Sequence, residues 1–433
     1  DGFGNVTHTG TNQIGKYFLH CHHLGGRDAQ GNGYQFTLMN NAIDGDDALH
    51  TNKWGITVHG SHFGYIYNNA VYNVAGGGVV LEDGTETGNL FENNFVCRVS
   101  GRVQRDSDDS PATGMARNGG CYWMRSGFSR FKNNVAACGI MYGLIVNSIN
   151  LGNDGGLGSG LYVPLPDYQG KHNHAGSTAG TTSAYSSGFY FHEFDGFDSY
   201  GPQQGGATIW YTGTNNVSVK NDTPRSVLKN FRIWHVATFG FWFYPCYNFR
   251  MENWTFRGDW TELAAGGDTA CFDFNDYRVH SAQFVNCDAA GYRYFMRYGY
   301  DACDHIEVIN CTARCAVGIL VTTPHSPGNA VSPTLQVPRT LHVDGCDLTP
   351  TANTVGGGVT KYEIAMRYDG SSFSANLAVH DSVYIYNRNG VAGANYRLYY
   401  PQQVSTQTIP INNAGINFIG CPEAGLTNAH SGT

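Results

Sequence analysis

Short apolar runs alternate with polar turns along Ile56–Val96, and the same arrangement occurs there twice. Each copy has an apolar run, a glycine-rich turn, and an Asn-Asn pair followed by another apolar run. The pairs Asn68-Asn69 and Asn93-Asn94 are 25 residues apart. A fixed period of this length, built from short strands, is typical of stacked coils and not of a globular sandwich. The pattern therefore predicts a solenoid of short β-strands.

The asparagine pattern recurs over much of the chain. It is found at Asn41, Asn69, Asn94, Asn134, Asn230, Asn253, Asn286 and Asn310. Parallel strands stack about 4.8 Å apart, so an Asn at the same turn of each coil can hydrogen-bond along the stack. With right-handed connections, this predicts an all-β, right-handed parallel β-helix with an Asn ladder and long loop insertions. The alternative is that Asn-rich turns simply recur in a β-rich protein.

The repeat also suggests domain limits. We expect residues 1–350 to form the β-helix, with a Gly/Ser/Thr-rich loop insertion at about 152–221, and residues 351–433 to form further β coils or a C-terminal cap. The residue after each ladder Asn is apolar or cysteine, which predicts one inward column. Its members are Ala42, Ala70, Phe95, Val135, Phe231, Trp254, Cys287 and Cys311.

Two members of that column are cysteines in successive coils. Cys287 and Cys311 should be neighbours at a separation that suits a disulfide. A stack of buried free thiols is the alternative, because free cysteine is a common core residue. The chain has 12 cysteines, an even number that fits an oxidising compartment.

Composition narrows the class of protein. Charged residues are only 14% of the chain and the net charge is −8, so nothing suggests a nucleic-acid partner. No apolar run is long enough for a membrane span. Glycosylation sequons at Asn5, Asn216 and Asn221 predict an extracellular or cell-surface location. Sequons at Asn253 and Asn310 coincide with the repeat, where burial is expected to block a glycan.

Candidate chemistry appears when neighbouring coils are aligned on the ladder Asn. Side chains alternate along a strand, so His20, His22, His59, Glu82 and Arg125 are expected to share the outer face of adjacent coils. Three imidazoles and a carboxylate are suitable ligands for one divalent metal ion of undetermined identity. The same groups are suited to acid–base chemistry. A solvated polar face without function is the alternative.

These motifs resemble a known family. The segments FLHCHHLGG, ITVHGSH and NAVYNVAGGGVVLEDGTETGNLFENNF are similar to the β-helix region of the cell-surface hyaluronidase and cell-migration-inducing hyaluronan-binding protein family, which includes fibrocystin-like proteins. The resemblance covers roughly residues 15–143. The chain departs from the family pattern at Gly76-Gly77, where the family has Gly-His.

The resemblance implies an extracellular protein that binds or acts on a glycosaminoglycan-like polysaccharide along its outer face. Its implied activity is hyaluronidase-like depolymerisation. The predicted catalytic residues are His20, His22, His59, Glu82 and Glu86, the predicted substrate-binding residues are Arg125 and Asp83, and the predicted metal ligands are His20, His22, His59 and Glu82.

A non-catalytic structural or adhesive module is the alternative function. Gly77 in place of the family's histidine favours it. The first coil begins almost at Asp1, so either a domain precedes it or another molecule stacks on that end, because a solenoid needs caps. This alternative predicts a subunit of an extracellular filament, with copies of the chain associating end to end.

Overall fold

The computed structural model describes only part of the chain. The described residues are 17–24, 33–45, 53–82, 86, 88–101, 119–125, 129–147, 193–210, 225–236, 238–243, 249–258, 269–274, 279–299, 303–322, 340–349, 362–366, 383–386 and 416–419. Within these ranges the regular structure is entirely β, and no helix there is long and apolar enough to cross a membrane.

The strands are short and separated by turns. They are β1 (Tyr17–His22), β2 (Phe36–Met39), β3 (Ala42–Asp44), β4 (Trp54–His59), β5 (Gly64–Tyr67), β6 (Ala70–Val74), β7 (Val79–Leu81), β8 (Leu90–Glu92), β9 (Phe95–Val99), β10 (Tyr122–Met124), β11 (Arg130–Ala137), β12 (Tyr142–Asn147), β13 (Glu193–Tyr200), β14 (Gly205–Trp210), β15 (Ser226–Trp234), β16 (Phe239–Phe243), β17 (Phe249–Glu252), β18 (Thr255–Arg257), β19 (Ala270–Phe274), β20 (Val279–Val285), β21 (Asp288–Ala290), β22 (Tyr294–Gly299), β23 (Cys303–Ile309), β24 (Thr312–Arg314), β25 (Val317–Thr322), β26 (Thr340–Asp344), β27 (Tyr362–Met366), β28 (Val383–Tyr386) and β29 (Ile416–Ile419).

The chain divides into two compact units, and the division falls within β15. Unit 1 consists of Asp1–Ser226 with Phe231–Ala237, and unit 2 of Val227–Asn230 with Thr238–Thr433. In unit 1 the strands stack in parallel on three sides, in the orders β1-β4-β7-β10-β12-β14, β2-β5-β8-β11-β13 and β3-β6-β9-β11. In unit 2 the orders are β16-β19-β22-β25-β27, β17-β20-β23-β26 and β18-β21-β24. Both units are therefore parallel β-helices, as predicted.

In-register stacking places like residues above one another inside each coil. In unit 1, Ile66, Phe91, Phe131 and Phe194 are successive partners across β5, β8, β11 and β13, and all are buried. The Phe131 and Phe194 rings stack with centroids 5.4 Å apart. Each buried phenylalanine contributes about 2 kcal/mol by removing apolar surface from water.

The predicted Asn ladder exists in unit 1. The side-chain amide of Asn41 donates to Asn69 Oδ1 at 2.8 Å, that of Asn69 to Asn94 Oδ1 at 2.9 Å, and that of Asn94 to Asn134 Oδ1 at 2.9 Å. The backbone N–H of Asn94 also donates to Asn134 Oδ1 at 2.9 Å. These amides satisfy buried backbone groups where the strand changes side, which explains why asparagine recurs there.

The predicted inward column is wrong in its first half. Ala42, Ala70 and Phe95 are exposed and Val135 is half-buried, whereas the second-half members are buried as predicted. In unit 1 the first Asn of each pair takes the left-handed turn, with φ of 53° at Asn68, and the second Asn forms the buried ladder. In the second half the lone Asn takes the left-handed turn, so the residue after it occupies the ladder position. The predicted column therefore joined two sets of positions that differ by one residue, the Asn pairs of the first half and the lone Asn residues of the second half.

Cysteine occupies this ladder position in unit 2. The N–H of Cys287 donates to Cys311 Sγ at 3.4 Å, and the N–H of Cys311 donates to Cys346 Sγ at 3.4 Å. Cys287 and Cys311 are neighbours, as predicted, but they are free thiols. The structure therefore contains the stack of buried thiols and not the Cys287–Cys311 disulfide, because Cys311 Sγ accepts from the Cys287 N–H while Cys287 Sγ lies against the Val285 and Met251 carbonyls.

The structure differs from the sequence predictions at the loop insertion and at two glycosylation sequons. The loop insertion at about 152–221 contains β13 and β14, which belong to the sheets of unit 1. The repeat was missed there because Gly196, with φ of 81°, and Phe197 replace the Asn pair. Asn253 and Asn310 are exposed at left-handed turns, so the expected burial of these sequons is wrong.

Past residue 350, β27 adds to the side formed by β25. Strands β28 and β29 pair with each other in parallel. The predicted boundary at residue 350, with further β coils or a C-terminal cap beyond it, stays a prediction.

Candidate functional site

Three strands of unit 1 end side by side in consecutive coils. His22 of β1 is in register with His59 of β4, and Val58 is in register with Leu81 of β7. Glu82 follows Leu81, and its N–H donates to the Val58 carbonyl at 2.9 Å. His22, His59 and Glu82 therefore occupy one row across three coils.

Because side chains alternate along a strand, the imidazoles of His20 and His22 lie on the outer side of β1. Cys21, Val58 and Leu81 are buried, while His20 and His22 are exposed. Cys21, between the two histidines, lies on the inner side of β1, and burial raises the pKa of its thiol to about 11.

Glu82 forms the floor of the cluster. Its side chain is only 8% exposed, and its Oε2 lies 3.3 Å from Nδ1 of His59, whose side chain is 23% exposed. The Tyr17 hydroxyl donates to both carboxylate oxygens, at 3.1 and 3.3 Å. The carboxylate is thus held in place from one side while His59 connects it to solvent.

The turn after β4 fixes the position of His59. Gly60 has φ of 52°, and its N–H donates to Glu86 Oε1 at 3.1 Å. The His59 carbonyl accepts from the Ser61 hydroxyl at 3.0 Å and from the His23 N–H at 2.9 Å. Glu86 is fully buried, so its observed role is to hold this turn.

Arg125 lies below the exposed face. It is buried and follows β10, and its Nη1 donates to the Glu82 main-chain carbonyl at 3.2 Å. Aligning the coils on the ladder Asn placed Arg125 in the correct row. The guanidinium is nevertheless buried and does not face solvent. Its predicted substrate-binding role stays a prediction, as does the catalytic role of Glu86. Asp83, Asn5, Asn216 and Asn221 lie outside the described residues.

Two histidines were missed by the sequence analysis. His23 is exposed, and its ring centroid lies 4.2 Å from that of His22 and 5.1 Å from that of His59. His62 is buried, and burial, followed by the nearby His23, lowers its pKa, so its imidazole is neutral near pH 7. His23 follows the HxH strand directly and His62 ends the ITVHGSH segment, so adjacency to these motifs was the available signal. Nothing in the sequence indicates that Tyr17 reaches Glu82.

The cluster suits a divalent metal ion. Ligand atoms of His20, His59 and Glu82 lie within 4.8 Å of one another, as do those of His22, His23 and His59. Two ligand atoms of a tetrahedral zinc ion, each about 2.0–2.1 Å from the metal, are about 3.3 Å apart. The His59–Glu82 separation of 3.3 Å already has this value. Imidazole and carboxylate are also the donors that such ions prefer, so the residues present fit the predicted metal.

Gly76 and Gly77, where the chain departs from the family pattern, precede β7. A side chain at position 76 would meet Cδ1 of Trp54 at 1.8 Å, and the Gly77 carbonyl accepts from the Gly55 N–H at 3.0 Å. Both glycines are buried and lie at the opposite end of β7 from Glu82. The departure thus leaves the histidine–Glu82 cluster complete.

Comparison with known proteins gives one family and two relatives. Residues 5–153 match the family described as CEMIP beta-helix. Fibrocystin-L of Mus musculus is 28% identical over 140 residues, and Fibrocystin-L of Homo sapiens is 26% identical over 132 residues. These stretches cover 32% and 30% of this chain but 3% of each relative. No solved structure is significantly similar to the chain.

Every residue of the described cluster falls within the matched segment. The match covers about a third of the chain and excludes unit 2. The resemblance that the motifs indicated is therefore confirmed over residues 5–153, and the described strands within this segment form a parallel β-helix.

Proposed function

We propose that this protein is an extracellular β-helix that binds a glycosaminoglycan-like polysaccharide along its outer face and cleaves it at the histidine–Glu82 cluster. The observation that carries the proposal is the convergence of His20, His59 and Glu82, whose ligand atoms lie within 4.8 Å on three successive coils. The match to the CEMIP beta-helix supports the location and the substrate class.

The cluster offers groups for each part of the reaction. His59 is partly exposed and its Nδ1 lies 3.3 Å from the buried Glu82 carboxylate, and imidazole and carboxylate are the side chains that most often transfer protons in catalysis. Tyr17 keeps Glu82 oriented toward it. His20 and His22 are exposed on the same face, where they can contact a sugar chain lying across the coils.

The same groups can instead hold a divalent metal ion, in which case His59 and Glu82 act as ligands and not as the proton-transfer pair. His20, His59 and Glu82 would hold it. His22 and His23 are further imidazoles beside His59. When bound, such an ion supplies a positive charge that polarises an oxygen of the substrate. The protein's own contribution is to keep the ligands on rigid strand ends and to hold Glu82 in a largely water-free position.

The test is the chain length of hyaluronan after incubation with the purified protein, with and without added divalent metal ions. We expect the native protein to shorten the polymer, and Glu82→Gln and His59→Ala to lower the rate at least about a hundredfold, the usual contribution of a proton-transfer group. The matched control is the variant His305→Ala/Glu307→Gln, which removes a similar His–Glu pair at 3.2 Å in unit 2 and should cleave normally.

A second candidate function is a non-catalytic structural or adhesive module. The observation that favours it is an exposed apolar row in unit 1, where Ala42, Ala70 and Phe95 are in-register partners, with Phe95 43% exposed. Unchanged hyaluronan length with every metal tested would reject the enzymatic proposal. Self-association that Phe95→Asp abolishes would then support the structural module.

A further inference from the structure

Two thiols in unit 1 lie at neighbouring positions of adjacent coils, away from the histidine cluster. Cys97 on β9 is half-buried and in register with Ala137 of β11. Cys138 follows Ala137 and is exposed. Its backbone has φ of 53°, and its N–H donates to the Tyr200 carbonyl at 2.8 Å.

This placement suits a covalent link. Parallel strands about 4.8 Å apart with a rise of about 3.3 Å per residue put diagonal Cα neighbours about 5.8 Å apart. That value lies within the usual Cα range of disulfides. In a regular strand the two side chains would point to opposite faces, but the left-handed turn at Cys138 interrupts the alternation. Cys138 is also the neighbouring side chain that, after burial, raises the pKa of Cys97, in agreement with two thiols that lie close together.

We propose that Cys97 and Cys138 form a disulfide when the folded protein reacts with a small-molecule disulfide such as oxidised glutathione. The bond links β9 covalently to the end of β11. The linked residues enclose the acidic segment around Arg105–Pro111, which the sequence inserts between these coils. The inference does not depend on the polysaccharide site.

The exchange proceeds in two balanced steps. The Cys138 thiolate attacks one sulfur of the small disulfide, which forms a mixed disulfide and releases one small thiol. The Cys97 thiolate then attacks Cys138 Sγ, forms the protein disulfide and releases the second small thiol. One small disulfide is reduced, the two protein thiols are oxidised, and their two protons end on the released thiols.

Burial decides the order of attack and the choice of partner. Burial, followed by the neighbouring Cys138, raises the pKa of Cys97, which favours the exposed Cys138 as the first attacking thiol. The third nearby thiol, Cys121, is fully buried with its sulfur 3.9 Å from the Ala137 carbonyl, and burial raises its pKa further. Access therefore selects Cys97 and Cys138.

The experiment treats the full chain with oxidised glutathione under native conditions, blocks remaining thiols and maps peptides by mass spectrometry without reduction. We expect one linked peptide pair, Cys97 with Cys138, lighter than the reduced pair by two hydrogens. Cys287 and Cys311, which are adjacent but buried, serve as internal controls and should remain free thiols. Under the same conditions the variant Cys97→Ser should stop at the mixed disulfide on Cys138.

Three results would overturn the proposal. One is a stable mixed disulfide between Cys138 and glutathione, with Cys97 still a free thiol. Another is a link from either residue to Cys121, and the third is a Cys138–Cys138 bond between two molecules. Because the native chain itself is mapped, the conclusion does not depend on whether the Cys97→Ser variant folds.

Discussion

At the scale of single residues, the two asparagines of each pair have different tasks. Asn68 takes a left-handed turn and donates to Asn40 at the surface, whereas Asn94 is fully buried and hydrogen-bonds the coils on both sides. Asparagine suits both positions, because it tolerates positive φ and its amide both donates and accepts. This double use is why the sequence alone does not show which Asn is the buried one.

Replacing a buried ladder residue should therefore cost far more than replacing its neighbour. Asn94→Ala leaves the Asn69 N–H and the Ile66 carbonyl without their partner. We expect it to lower the free energy of unfolding by about 3 kcal/mol, since each buried unsatisfied group costs about 1–3 kcal/mol. Urea unfolding followed by tryptophan fluorescence measures this change.

Asn68→Gly is the matched control, because glycine keeps the left-handed turn and only an exposed hydrogen bond is lost. Its effect should stay below about 0.5 kcal/mol. Equal losses in the two variants would contradict this assignment of different tasks to the first and the second Asn of a pair.

At the scale of elements, ion pairs join successive coils on the outer side of unit 2. Arg257 pairs with Asp288, and Arg314 with Asp347. In each pair the arginine precedes the aspartate by one coil, so the charges alternate along the stack. Such partly exposed pairs add little each, but they align the strand ends.

The Arg314–Asp347 pair makes a prediction for acid stability. The hydrogen bond that Arg314 donates to the Asp347 carboxylate lowers the pKa of Asp347. The carboxylate therefore adds stability above the pKa of an unfolded Asp, about 3.9, and this contribution is lost as the pH falls through the lower folded-state value. We expect Asp347→Asn to be less stable than the native chain by about 0.5 kcal/mol at neutral pH and to lose less stability on acidification.

Urea midpoints at about pH 5 and about pH 3 test this difference, because pH 5 lies above the unfolded Asp pKa and pH 3 lies in the range where the contribution is being lost. Arg314→Gln should reproduce the smaller pH dependence. If Asp347→Asn and the native chain lose the same stability between these two conditions, the pair does not contribute as described.

At the scale of the whole molecule, the site exists only because the coils stack. His20 and Glu82 are 62 residues apart in sequence, and they meet because β1, β4 and β7 are consecutive on one side of unit 1. An unfolded chain does not bring these ligands together. The proposed metal binding is therefore expected to be coupled to folding of unit 1.

We accordingly expect zinc to raise the thermal unfolding midpoint of the native protein. An ion that binds only the folded state stabilises it by about 2.7 kcal/mol at a hundredfold excess over its Kd. Differential scanning calorimetry with and without zinc measures the shift, and calcium, which prefers oxygen ligands, should have a much smaller effect.

The shift should disappear in Glu82→Gln and persist in Glu307→Gln, whose carboxylate lies in unit 2. An equal shift in both variants would place the zinc elsewhere on the chain. No shift in the native protein would contradict the metal proposal.

Much of the site could be predicted because it follows from strand alternation and a repeat. The row of His22, His59 and Glu82 was predicted from the spacing of each residue to the ladder Asn, and the parallel register confirms it. The burial of Arg125 and Glu86 could not be predicted, since spacing gives the side of a strand but not what covers it. The contact of Tyr17 with Glu82 depends on side-chain reach between coils that are not adjacent.

The sequence by itself determined the fold class, because a repeat of short strands and Asn turns is a local pattern whose physical solution is a stacked parallel β-helix. It also determined which residue types gather on one outer row. Only the tertiary structure decided the phase of the second half, the presence of β13 and β14 inside the expected loop, and the free thiols at Cys287 and Cys311. These depend on which residue of a turn takes positive φ and on the direction of each side chain, and both are set by contacts with the neighbouring coil.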